Sequence, residues 1–350
     1  MNGNRLFQLR RELGAALAKQ KVIYLDINHW NGLCDAVLGS GDKIYEELND
    51  RLKAGVDRGE IACPIEVSVF LELLKQRLPE KRLATTRIID QLSQAVVIVA
   101  PQDRVFLEVL RVYQAGSKGE PFPPAPRSEV WTKAAFLIGH PEAASEKLDK
   151  NTLRYINEAV QNELWGYRFE EVLGMVGPDF SISWEWTVST ASKLNLSKLD
   201  ARERFKTYKE LYLSEVRGIL DGHADALGSV YEYVVLQGGP LPEPITPQQR
   251  EQLGREMAAI VHAAFKVHEF APSLPTVHVL ASLFSHVQWD VGRRYKPNDF
   301  ADFSHASAAV AYCDCFLTER SLATLLKQAR LDSLYECTVV SSPEELLAMV

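Results

Sequence analysis

The chain has no long apolar run, no excess of basic residues and no Cys-x-x-Cys pair, and each absence removes a class of protein. No hydrophobic stretch approaches the ~20 residues needed to span a bilayer. The formal net charge is −7, which argues against coating nucleic acid by bulk electrostatics but leaves room for a local basic groove. The five cysteines are Cys34, Cys63, Cys313, Cys315 and Cys337. Most lie in apolar stretches, which favours free thiols in a reducing compartment over a disulfide framework. Cys313 and Cys315 have the spacing of a soft metal pair, but partner ligands are missing and alternation along a strand explains them more simply. Residues 1–20 lack a signal-peptide pattern and read as an amphipathic helix with Arg5, Arg10, Arg11 and Lys19 at polar positions. His262, His268, His278 and His286 form no His-x-x-x-His zinc motif, and no internal repeat stands out. The expectation is a cytoplasmic protein.

What is present is ordinary in bulk. With 350 residues, 46% hydrophobic and 24% charged, the chain can bury a large core or carry one domain with a substantial insertion. Residues 21–25 form a short apolar run closed by Asp26, the pattern of a buried strand with an acid at its carboxyl end. A helix is expected over 43–58, ended by Gly59, then a strand over 61–64. From 65 to 77 Val67, Phe70, Leu71 and Leu74 recur at helical spacing. A third strand is expected over 95–100, and these alternations suggest a parallel sheet with right-handed crossovers. Pro- and Gly-rich breaks follow at 116–127 and 238–247. Helices are expected over 150–175, 200–236 and 248–269, without persuasive strands among them. Strand signals return at 313–318 and 336–340. The economical reading is an α/β domain whose halves, 1–113 and 291–350, flank a helical insertion, 114–290.

The second half opens on a crowd of charge. Asp299, Asp302 and His305 recur every third residue and so share one helix face, where like charges repel and something positive should compensate them. A divalent metal is one candidate and a buried Arg or Lys the other. Asp299 is also explained as a helix cap after Pro297 and Asn298. His305 has the alternative of a packed, hydrogen-bonded histidine. Asp26 can cap the helix that begins near Asn28. Glu72 can belong to a solvated helix face, and Glu66 is explained by the dipole of its first helical turn. Arg293, Arg294 and Lys296, and likewise Lys75, Arg77, Lys81 and Arg82, can track a phosphate backbone or simply face solvent. Trp165, Tyr167, Trp184 and Trp186 have base stacking or core packing open to them.

Four of these positions resemble the ordered pattern of the PIN-domain nucleases, specifically bacterial PIN-like proteins with extended helical regions. That pattern has an Asp ending the first strand, as Asp26 does, and a Glu in the helix after the second strand, as Glu72 is. A late helix opens on an Asp, matched by Asp302, and the next strand ends on a Thr with a nearby acid, matched by Thr318. The resemblance covers the two ends, about half the chain. It implies a three-layer α/β/α fold with a mostly parallel sheet, interrupted by an all-helical insertion.

The activity it implies is hydrolysis of phosphodiesters by carboxylate-bound Mg2+ or Mn2+, on RNA before DNA. Asp26, Glu72 and Asp302 would be the ligands, with Asp299 and Asp314 as second-site or outer-shell candidates. Thr318 would hydrogen-bond a metal water or a phosphate, and Arg293, Arg294, Lys296 and His305 would contact substrate. Where the family often has its fourth acid, two residues after the Thr, this chain has Arg320. Glu319 and Asp314 both remain open for that place. The other class of reading is a catalytically degenerate module that binds RNA or a regulatory protein partner. A haloacid-dehalogenase-like phosphohydrolase fits less well, because Asp26-Ile27-Asn28 lacks the second Asp of that motif.

Overall fold

A computed structural model of the chain describes residues 5–350 except 138, 140, 142, 144, 146, 178, 179, 181, 182, 237–244, 268 and 269. His268, the end of the helix expected over 248–269 and most of the break at 238–247 therefore lie outside the described residues. In chain order the first elements are α1 (Arg5–Leu17), β1 (Lys21–Leu25), α2 (Ile27–Val37), α3 (Lys43–Asp57) and β2 (Ile61–Ala62). Then come α4 (Val67–Leu73), α5 (Pro79–Ser93), β3 (Val96–Ile98), α6 (Pro101–Lys118) and β4 (Trp131–Lys133). The middle of the chain forms α7 (Lys150–Trp165), α8 (Phe169–Val176), α9 (Glu185–Arg204), α10 (Tyr208–Gly222), α11 (Ala224–Leu236), α12 (Pro247–Phe265) and α13 (Pro275–Trp289). The last elements are α14 (Asp299–Tyr312), β5 (Cys315–Leu317), α15 (Arg320–Gln328), α16 (Leu331–Tyr335), β6 (Thr338–Val340) and α17 (Pro343–Leu347). The protein is mixed α/β and mostly helical. Among the described residues no helix is long and apolar enough to cross a membrane.

The main sheet has the order β2-β1-β5-β6, with every pair parallel. Strand β1 is central, with Val22, Ile23, Tyr24 and Leu25 all buried, which is why it reads as a continuous apolar run. Its neighbours come from opposite ends of the chain. The path leaves β1 toward β2 on one side and returns as β5 on the other, so a topological switch point lies between β1 and β5.

Two expectations need correction. Strand β3 does not join the parallel ladder; it pairs antiparallel with β4 and touches the main sheet through a single parallel bridge, Ile65 to Val97. Pro64 has no amide to donate, so the segment after β2 cannot extend a regular ladder toward β3. In addition, β4 lies inside 114–290, so that segment is not all-helical.

Packing also ignores the expected boundaries. The larger core combines the main sheet and α14 with Val130, Trp131, Phe169 and Val172 from the middle of the chain. The smaller core is built by Val105, Val109 and Val112 of α6 against α10 to α13. These α6 positions form one helical stripe, whereas Leu107 on another face packs into the larger core. Helix α6 thus serves both.

At the seam α6 buries two charged residues completely, Arg104 and Glu108. Arg104 donates to the Val99 carbonyl at 2.9 Å, to Ser307 Oγ at 2.9 Å and to Thr276 Oγ1 at 3.2 Å. Glu108 accepts from the Thr276 amide, 3.2 Å from each oxygen, and from the hydroxyls of Thr276 and Tyr312. The network ties α6 to α13 and α14, the helix that carries Asp302. Burial pushes the Glu108 carboxyl up to about 7, although its hydrogen bonds and the charge of Arg104 oppose the shift. Within the helical core α11 and α12 cross at Gly228 and Gly254. A Cβ on Gly254 would strike the Ala224 carbonyl, and one on Gly228 the Arg250 carbonyl.

Candidate active site

Strand register builds the site. Leu25 of β1 lies beside Leu317 of β5, and Leu317 beside Val340 of β6. The next residues, Asp26, Thr318 and Glu319, therefore emerge at the carboxyl edge of the sheet, the place where open α/β sheets take ligands. Asp26 caps α2: its Oδ1 accepts the Asn28 amide at 3.0 Å. Its Oδ2 accepts the Glu319 amide at 3.1 Å. The capping role and the strand-end position thus coexist in one carboxylate, oriented by two backbone donors.

Helix α14 runs back along the sheet toward the start of β5, which brings its first turns to the same edge. Burial first, then the charges of Glu319, Asp26 and Glu72, push the Asp302 carboxyl up to about 7, with His305 acting against them. Three acids from other elements thus act on Asp302. Asp302 has no side-chain hydrogen bond or ion pair within the described residues, and only the more distant charge of His305 opposes its shift.

On the acidic face Asp299 is compensated by Arg293, and Glu72 on α4 has positive partners of its own. His305 is buried and its Nε2 stands 2.8 Å from Glu72 Oε2, while Nδ1 stands 2.8 Å from the Tyr24 hydroxyl and 3.7 Å from Glu66 Oε1. Burial alone would lower the His305 pKa. The hydrogen bond to Glu72 and the charges of Glu72, Glu66 and Asp26 outweigh it and raise the pKa to about 9. Lys75 Nζ lies 3.4 Å from Glu72 Oε1. Although burial acts to raise it, Glu72 is held below its ordinary value by His305 and Lys75.

Several expected site residues do other things. Asp314 is removed from the site: its Oδ2 accepts the Val22 amide at 2.8 Å, at the opposite end of β1, and its Oδ1 faces Arg127 at 3.5 Å. Twelve residues of α-helical rise separate it from Asp302 by about 18 Å, which sequence proximity conceals. Asp299 turns away from the cluster. Its Oδ2 accepts the Lys296 amide at 2.9 Å and its Oδ1 faces Arg293 at 3.4 Å, so the pair closes the loop before α14. Asp299, expected as a second-site ligand, and Arg293, expected as a phosphate contact, are thus engaged with each other. His305, expected as a substrate contact, is buried and engaged with Glu72 and Tyr24. Thr318 is fully buried and its hydroxyl has no partner. Arg294 and Lys296 remain exposed. In the other basic run, Arg82 is buried against the carbonyls of Leu74 and Gln76, and Lys81 pairs with Asp35 at 2.6 Å.

Glu66 is the residue whose weight the sequence understates. It caps α4 through the Ser68 amide at 3.0 Å, is fully buried, and leaves Oε2 without a partner beside His305. An acid set between Ile65 and Val67 in an apolar stretch was the available signal.

The donors around Asp26 and Asp302 are all carboxylate oxygens, which suits a hard divalent ion. Among the described residues, however, no three Asp, Glu, His or Cys side chains stand close enough together to hold a metal as they are arranged. Glu72 is drawn toward His305 and Lys75 instead. Comparison with protein-family models, with curated proteins and with solved structures finds no match to this chain.

Proposed function

We propose that the chain is a divalent-metal-dependent nuclease, acting on RNA before DNA, with a PIN-like three-layer α/β/α design and a large helical insertion. The observation that supports this reading is the meeting of Asp26 and Glu319 at the β1–β5 switch point, beside Asp302. The Asp302 carboxyl is pushed up by burial and by the charges of Glu319, Asp26 and Glu72, and it has no hydrogen-bond or ion-pair partner among the described residues. Asp26, Asp302 and Glu72 would hold Mg2+ or Mn2+, with Glu319 as the fourth acid. When bound, the ion supplies charge neutralisation and an acidified water. Asp26 is pre-oriented by its two amides. To join Asp26 and Asp302, Glu72 would have to leave Lys75, with His305 as its positioning partner. Exposed Arg294 and Lys296 supply phosphate contacts before α14.

The engagement of Glu72 by His305 and Lys75, together with Arg320 in the family's usual acid position, favours one second reading. In it the domain is a non-catalytic module for RNA or a protein partner. Incubating end-labelled single-stranded RNA with Mn2+, Mg2+ or chelator separates the two. The nuclease reading expects metal-dependent cleavage that falls about 100-fold or more in Asp26→Asn and in Asp302→Asn. Equal cleavage by the parent and both variants would sink it, and RNA binding without cleavage at either ion would favour the module.

A further inference from the structure

We infer that the aromatic row beside the acids is a stacking subsite for a nucleobase of a single-stranded polynucleotide. For what is cut it rests on the nuclease reading; for what is bound it does not. The row starts at Lys75, three residues after Glu72, whose Nζ lies 3.4 Å from Glu72 Oε1 and 3.6 Å from the centroid of the Trp184 ring. Trp184 stacks on Trp186, with centroids 6.1 Å apart and planes inclined by 24°. Trp186 meets Phe300 at 5.7 Å, and Phe300 lies two residues before Asp302 on α14. Both ends of the row are thus anchored within a helical turn of a candidate catalytic acid.

Core packing does not account for two features. Trp186 keeps 53% of its surface exposed. The indole N–H of Trp184 is buried without an acceptor, whereas a packed Trp normally finds one. A pre-stacked pair of indoles with a lysine on its covered face offers a flat surface and a cation together. A base attached to a phosphate presents the complementary pair, and every base has a π-face, so such a site tolerates sequence. Lys296 and Arg294 are exposed just ahead of α14, the helix that carries Phe300. An apolar peptide helix fits less well, because the row is narrow and bordered by charge at both ends.

The test is binding without metal, in EDTA, using a short fluorescein-labelled single-stranded RNA and fluorescence anisotropy. The expected results are quenching of the parent's tryptophan emission by the RNA and weakening of binding by about 5- to 100-fold in Trp186→Ala. Trp186→Phe, which keeps a ring and controls for folding alongside thermal melting, should retain binding within about threefold. Single-stranded DNA and free uridine monophosphate are the comparison arms, and the tighter polynucleotide names the carrier of the base. Binding of the mononucleotide alone, equal competition by duplex RNA, or Trp186→Ala binding within about twofold of the parent would overturn the inference. Weakened binding in Trp186→Ala without metal-dependent cleavage by the parent removes the nuclease and leaves the subsite. Metal-dependent cleavage with unchanged binding in Trp186→Ala does the reverse.

Discussion

Glu108 should make this protein less stable as the pH rises through neutrality, and Glu108→Gln should remove that dependence. The side chain is fully buried where α6 meets α13 and α14. Its ordinary value of 4.5 applies to the unfolded chain, and the fold raises it to about 7, chiefly by burial. The folded state therefore holds the proton more tightly. The stabilisation is complete below the unfolded value and is lost as the pH climbs through the folded one. The difference corresponds to about 3 kcal/mol in full, most of which disappears between about pH 5 and about pH 8. Urea unfolding of parent and Glu108→Gln across that range isolates the effect, because the other titrating groups cancel in the difference. The parent should lose about 2–3 kcal/mol relative to the variant from the acid end to the alkaline end. A pH-independent difference would refute the reasoning. Glu108→Ala should cost more at every pH, about 3–5 kcal/mol, because Thr276 and Tyr312 lose their acceptor and Arg104 its neighbouring charge.

Asp26→Asn should preserve stability within about 0.5 kcal/mol, because Asn caps a helix as well as Asp, whereas Asp26→Ala should cost about 1–2 kcal/mol in urea unfolding. Any cleavage activity should fall in both, so that stability and activity separate in the Asn variant. Gly254→Ala should force α11 and α12 apart at the Ala224 carbonyl and lower the stability by about 1–3 kcal/mol, read as a fall in Tm. Asp314→Asn should leave metal-dependent cleavage within about twofold of the parent, because Asp314 holds Val22 and Arg127 at the far end of the sheet. A collapse of activity comparable with that of Asp302→Asn would return Asp314 to the site.

The strands of the main sheet were legible in sequence because each is a short apolar run ended by a polar or turn residue. Central strands are buried on both faces, and β1 and β5 show that continuous pattern. Helix α3 was equally clear, since its apolar residues recur at helical spacing and Gly59 follows with a φ of +71°. The placement of β3 was not, because its pattern is that of any buried strand. Its partner is fixed by Pro64 and by Trp131 to Lys133, a segment with little strand signal of its own. The packing of 114–290 against the rest of the chain was hidden for a related reason. Chain order says where a helix occurs, while the stripes of α6 decide which core each face joins.

For the candidate site, sequence by itself determined the inventory: acids at strand ends and on one helix face, in an order that resembles a nuclease pattern. Only the tertiary structure decided which of them meet. Parallel register carried Asp26 and Glu319 to one edge, and the direction of α14 brought Asp302 there while taking Asp314 to the other end. Only the structure, too, showed that His305 and Lys75 compensate Glu72, that Arg293 compensates Asp299, and that Asp302 has no such partner among the described residues. Electrostatic coupling acts through distances of a few ångströms. Those distances arise between residues such as Glu72 and His305, far apart along the chain, and no local pattern records them.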